Sequence, residues 1–161
     1  MRHHTRTTLL LLLLLVGVTA LPLIPEAASA QADRLDWAAR IAEMDRALGR
    51  GDTTAVTAAW REAYVAAHAS RDWPGMIAVG DAALRAARGT RTPEVFEPRA
   101  RRAYLTALLR ARRLVARDGV LAAGEAFGRL GDRDAERLAK DEAAKLANRP
   151  EADARRRARA L

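Results

Sequence analysis

The sequence predicts an all-α protein of about six helices, and three observations carry that expectation. Apolar residues recur three and four apart along most of the chain, the spacing that lines one face of a helix at about 3.6 residues per turn. No stretch alternates apolar and polar residues over the length of a strand. Regular punctuation by Gly51-Asp52, Arg71-Asp72, Asp118-Gly119 and Gly131-Asp132 divides the pattern into runs of helical length. Each of these aspartates is placed to accept a hydrogen bond from the free amides of a first helical turn.

Ahead of the helices, residues 1 to 30 read as a cleavable secretory signal. Arg2 and Arg6 give a positive start, Leu9 to Ile24 form an apolar run, and Pro22, Pro25 and Glu26 end it. Ala28-Ser29-Ala30 supplies the small-x-small pattern of a cleavage site, which places the cut between Ala30 and Gln31. A membrane-spanning helix needs about 20 apolar residues. This run is shorter and carries Pro22 near its end, so cleavage is expected over anchoring. Arg2 and Arg6 are not adjacent, as a twin-arginine signal would require, and no cysteine stands at the junction to take a lipid. The working protein is therefore expected in a periplasm or outside the cell.

The remainder suffices for one domain with a modest core. Helices are expected over residues 33 to 49, 53 to 70, 73 to 88, 98 to 116, 119 to 130 and 132 to 148. Their apolar faces are Trp37, Ile41, Met44 and Leu48; Val56, Ala59, Trp60, Ala63 and Ala67; Trp73, Met76, Ile77, Gly80 and Leu84; and Ala100, Tyr104, Ala107, Leu108, Ala111, Leu114 and Val115. Gly89 to Pro98 reads as a linker because of Pro93 and Pro98. The domain then spans 31 to 148, and the basic tail over 149 to 161 reads as frayed or disordered.

Composition narrows the chemistry. The chain has no cysteine, so export serves no disulfide framework and stability must come from helix packing. Of 28 basic residues only Lys140 and Lys145 are not arginine, and the formal net charge is +8. Such a balance favours acidic partners or surfaces in general. A nucleic-acid partner would call for a recognised motif or interleaved aromatics as well, and is not expected.

Shifted by 44 residues, the chain partly matches itself: Ile77 to Ala82 lies over Leu121 to Ala126, Trp60 over Tyr104, and Arg85 over Arg129. Ala59, Ala63 and Ala67 likewise lie over Ala103, Ala107 and Ala111. A repeat of this length points to helical hairpins stacked as a short solenoid. Over roughly residues 57 to 88, Trp60, then Asp72-Trp73 at the turn, then Ala83 in the following helix resemble the tetratricopeptide-type repeat. Tyr64, Ala67 and Gly80 depart from that pattern, no proline follows near Arg88, and the repeat is longer than the family's. The resemblance implies an interaction scaffold of antiparallel helical hairpins, without catalysis.

No catalytic, cofactor or metal constellation is indicated. His68 is the only histidine beyond the leader. Asp132, Asp134 and Glu136 suit the positive end of a helix dipole and lack a calcium-loop pattern. Gly80 and Gly124, inside helices, read as positions of close packing. The strong charge pattern is a stripe of Arg99, Arg102, Arg110, Arg113 and Arg117, with Arg101 and Arg112 off it. No acidic residue occurs between Pro98 and Arg117 to pair with them. Either neighbouring helices neutralise a solvated face, or the stripe docks carboxylates or phosphates through the planar guanidinium fork. The expected function is an exported interaction module that binds a protein or peptide, acidic if the stripe is used. The alternative is a binder of anionic polymer or a membrane surface.

Protein made in a secreting host is expected to begin at Gln31, which an intact-mass measurement checks. A membrane-bound product retaining residues 1 to 30 would contradict it.

Overall fold

The computed structural model describes residues 26 to 159, with side chains from 36 to 148. The run from Leu9 to Ile24 lies outside the described residues, as do the side chains of Arg155, Arg156, Arg157 and Arg159. Among the described residues the chain is all-helical, in the order α1 (Glu26–Gly49), α2 (Thr53–Ala69), α3 (Pro74–Gly89), α4 (Pro93–Arg113), α5 (Arg117–Leu130) and α6 (Arg133–Arg159). Each helix packs on the next, and α1 also touches α3 as α3 touches α5. The odd-numbered helices thus form one layer of a short stack of hairpins. Helix α3 lies at its centre, against α1, α2, α4 and α5.

The Gly-Asp pairs do the work their chemistry suggests. Gly51 and Gly131 take left-handed backbone angles, φ 71° and 85°, a region glycine enters without steric cost. The residue after each begins the next helix as its cap: Asp52 accepts from the Ala55 amide at 2.9 Å and Asp132 from the Ala135 amide at 3.2 Å. At the α4 to α5 turn the expectation fails, because the cap is Ala116 and Asp118 falls inside the first turn. Val115, at φ 53°, ends α4 early and lets α5 begin two residues sooner than expected.

Helix α6 runs on to Arg159 through a segment read as frayed or disordered, and helix α4 differs from the sequence reading at both ends. It starts at Pro93 and runs through Pro98, where a linker to Pro98 was expected. Pro93 suits a first helical position, since its missing N–H would have no partner there. Pro98 removes one intrahelical donor, but it and Glu94 are exposed, so water can answer the Glu94 carbonyl. Fully buried Phe96 anchors this first turn in the core. At the other end Leu114 and Val115, expected to be buried, are 62% and 53% exposed. The left-handed turn at Val115 swings them out of the helical register.

Alanine supplies most of the buried apolar positions, with Met44, Val56, Trp60, Met76, Val79, Leu84, Phe96, Tyr104, Val120, Phe127 and Leu146 as the larger ones. The expected face of α2 is buried in full, whereas on α3 Met76, Gly80 and Leu84 are buried, Trp73 and Ile77 only half-buried, and Val79, Ala82, Ala83, Ala86 and Ala87 are buried besides, as its central place requires. Two aromatic side chains tie the even helices to α3. The Trp60 indole donates to the Val79 carbonyl at 3.1 Å, and the Tyr104 hydroxyl donates to Asp81 at 2.7 Å. Arg129 of α5 donates to the same Asp81 oxygen at 2.8 Å. Burial, reinforced by Asp81, pushes the Tyr104 pKa well above the ordinary phenol value.

Gly80 lies under the Tyr104 ring, where an added Cβ would stand 2.3 Å from ring carbon Cε1. Tyr104 is fully buried and held by Asp81, so it has no room to yield. Gly80→Leu is therefore expected to destabilise by about 1–3 kcal/mol through overpacking. Gly49→Ala, where a Cβ meets nothing within 4 Å, should be neutral or gain up to about 1 kcal/mol. Paired denaturant melts check both signs.

Candidate functional site

Helices α2 and α4 do not pack closely on each other, and a furrow separates them. Its α2 edge carries Tyr64 and His68, continuing into Arg71 of the turn; its α4 edge carries Arg99, Thr106, Arg110 and Arg113. Trp60, Tyr64 and His68 form a ring ladder along α2, with centroids 5.3 Å and then 6.0 Å apart. They recur every four residues, so successive turns align them.

Two arginines bridge the furrow. Arg99 reaches from α4 to the Trp60 ring, its guanidinium carbon 5.1 Å from the ring centroid and 4.9 Å from that of Phe96, a cation–π arrangement. Its Nη1 is buried without a hydrogen-bond partner. Burial, and then the like charge of Arg61, lower the Arg99 pKa. Arg110 bridges the other end by donating to the carbonyls of Ala67 (3.1 Å), Asp72 (2.8 Å) and His68 (2.8 Å). The carbonyls of Ala67 and His68 belong to the last turn of α2, which has no intrahelical donors of its own. Arg110 thus ties the C-terminus of α2 to α4, and burial lowers its pKa.

The five arginines of the stripe therefore separate by role. Arg99 and Arg110 are spent largely on packing and capping. Arg102 and Arg113 are exposed and make no hydrogen bond or ion pair among the described residues. Arg117 is not on α4 at all: the helix ends at Arg113, and Arg117 opens α5 with only Asp118 near it, at 3.9 Å. The off-stripe pair is neutralised from the neighbouring hairpin, Arg101 by Asp132 and Arg112 by Glu142 at 3.1 Å.

Around Arg110 the furrow widens into an open cleft of about 380 Å³ lined by His68, Arg71, Thr106, Leu109, Arg110, Arg113 and Leu114. Its walls combine guanidinium groups with leucines that are 45% and 62% exposed. Asp72 stands at this end but accepts from the Ser70 hydroxyl at 2.9 Å and from the Gly75 amide at 3.4 Å. A larger hollow of about 630 Å³ lies on the opposite edge of α2. There Arg40 pairs with Glu62 and Asp36, and Arg61 completes a lining of two acidic and two basic residues, so its charge is balanced and the furrow is the better candidate.

Arg71 escaped the sequence reading because it stands singly, away from the stripe; only the fold sets it opposite α4. Tyr64 was singled out only as a departure from a repeat pattern, and its alignment with His68 was the available signal. Trp60 is buried beneath Arg99 and offers no open ring. Trp37 and Trp73 pack against the core, close to Gly75 and Gly119. Among the described residues no group of three His, Cys, Asp or Glu side chains is placed to hold a metal ion, and no helix is long and apolar enough to cross a membrane. No family model, curated protein or solved structure matches the chain.

Arg110→Ala is expected to destabilise the fold by about 2–3 kcal/mol, since it strips charged hydrogen bonds from three backbone carbonyls. Arg102→Ala, exposed and unpaired, should stay within about 0.5 kcal/mol of the parent. Chemical denaturation of the two variants checks the contrast.

Proposed function

We propose that the protein is an exported interaction module whose α2–α4 furrow takes an acidic segment of a partner protein. The observation that carries this reading is the cleft at Arg71 and Arg113, where unpaired guanidinium groups face solvent beside exposed Leu109 and Leu114. Guanidinium forks suit carboxylates, and the leucines suit an apolar side chain next to them. That mixture favours a peptide over a uniformly polar anionic polymer, which would leave the leucines unused. Export rests on the leader pattern of residues 1 to 30. A scaffold role accords with the hairpin stack and with the resemblance to tetratricopeptide-type repeats. No cofactor or catalytic group enters the reading.

A displayed library of short random peptides, panned on protein purified from a secreting host, tests it. Selected sequences should be enriched in Asp or Glu beside Leu, Ile, Val or Phe. The double variant Arg71→Glu with Arg113→Glu should lose about tenfold or more in affinity for them, a change of about 1.4 kcal/mol or more, while keeping its helical spectrum. Enrichment without acidic residues would overturn the reading. So would binding to anionic phospholipid vesicles or a polyanion, but to no peptide, with the steep salt dependence of counterion release.

A further inference from the structure

Helices α1, α4 and α5 end in the same pair of backbone hydrogen bonds. The amides of Gly51, Val115 and Gly131 each donate to the carbonyl three residues back, and the amide after each donates to the carbonyl five residues before itself, all at 2.9–3.1 Å. Glycine is the usual occupant of that left-handed position, because it carries no Cβ to clash there. At the end of α4 the occupant is Val115, at φ 53°, and a β-branched residue in this region is an outlier. The end of α2 supplies the fourth left-handed residue, Arg71 at φ 58°. There the corresponding carbonyls, of Ala67 and His68, accept from Arg110. The two glycines thus sit at the end of the stack where α2 and α6 begin, and the two residues with side chains at the end where α2 and α4 finish. That second end holds the cleft. Neither side chain is retained for packing: both are exposed, and Arg71 has no hydrogen bond or ion pair among the described residues. Glycine at position 115 would close α4 with the same two bonds and less steric cost. Strain kept where the fold does not use the side chain points to a role outside the fold.

We propose that Val115 belongs to the docking surface, so that the acidic segment crosses the ends of α2 and α4, with a carboxylate at Arg71 and Arg113 and an apolar side chain on Leu114 and Val115. This rests on the acidic-segment reading above and adds to it a direction and a contact beyond the cleft. Arg71, Arg113 and Leu114 line the cleft, and Val115 continues its apolar side from Leu114. Arg113 and Arg117 bracket the apolar pair in the chain, so a positive charge stands on either side of it. A second copy of this chain is the poorer occupant, because it would bring the same guanidinium groups against each other, and facing like charges oppose association.

The test uses one labelled acidic peptide selected from the library, with protein purified from a secreting host. Val115→Gly and Val115→Asn, both suited to a left-handed residue, should raise the midpoint of chemical denaturation. Each should also weaken peptide binding about fivefold to tenfold through the lost apolar contact. Val115→Leu keeps an apolar side chain and should bind as the wild type does. Gly51→Val, at the other end of the stack and in open space, should lower the midpoint and leave affinity unchanged. Unchanged affinity in Val115→Gly, or an equal loss in all three Val115 variants, overturns Val115 as a contact while Arg71 and Arg113 still support the acidic-segment reading. A lowered midpoint in both Val115→Gly and Val115→Asn overturns the claim that strain is held there. A dimer in sedimentation that Val115→Gly dissolves would make the face a contact between copies and overturn the proposal. If no acidic peptide binds the wild type, both readings fall together.

Discussion

The fold depends on how closely glycine and alanine let α3 and α5 approach their neighbours. Near the start of α3, a Cβ on Gly75 would meet the Trp37 indole at 3.0 Å and Ala67 at 3.2 Å. Near the start of α5, a Cβ on Gly119 would meet the Trp73 indole at 2.7 Å and Ala111 at 2.8 Å. The same arrangement thus occurs twice: a missing side chain, an indole laid into the gap, and an alanine closing it. Each alanine buries little apolar surface, and burial is worth only about 25 cal/mol per Å². Close approach compensates, because dispersion falls off steeply with any gap. Indoles and phenol rings then fill what the small residues leave.

Two spacings coexist along the chain, and their difference is structural. The turns that open α2 and α6 carry Gly51-Asp52 and Gly131-Asp132, with Thr92 standing midway as the cap of α4. The turns that close α2 and α4 carry the left-handed residues Arg71 and Val115. Caps recur at the shorter spacing and left-handed residues at the longer one, so α4 has 21 residues where α2 has 17. Four residues make about one helical turn. The addition lengthens the helix while its buried face stays almost in place, and it lies at the N-terminal end of α4. That turn carries Phe96, whose ring holds Arg99, and it is the turn that Pro98 disguised as a linker.

Much of the fold was legible because its causes are local. The face of α2, the glycine-aspartate turns and the close packing of Gly80 follow from spacing and from single-residue conformational preference. The start of α4 was not legible, since the tolerance of Pro98 depends on an exposed carbonyl and on a buried Phe96 anchoring the turn before it. The burial of Leu114 and Val115 was misjudged for a related reason. Their spacing continues the α4 face, but a left-handed Val115 breaks the helix first, and β-branched residues rarely enter that region. The candidate site was half legible. Seven arginines without local carboxylates are visible in the sequence, but which of them are neutralised depends on helices that fold alongside.

That neutralisation is one-sided, and the asymmetry is what makes the furrow chemically distinct. On the α6 edge of α4, Arg101 and Arg112 face Asp132 and Glu142. Arg85 and Arg129 are likewise matched, by Asp45 and Asp81. On the α2 edge Arg110 donates to backbone carbonyls, which satisfy donors without cancelling charge, and the Asp72 carboxylate stands close enough to act on it. Arg110 therefore gives three hydrogen bonds to carbonyls and lines the cleft together with Arg71 and Arg113. At physiological salt a field among exposed charges fades over about 8 Å, so the cleft acts locally, and a ligand feels it only once inside. The exposed leucines lie within that same reach. Positive charge and apolar surface thus lie side by side in the cleft, whereas the hollow beyond α2 sets Arg40 and Arg61 beside Asp36 and Glu62.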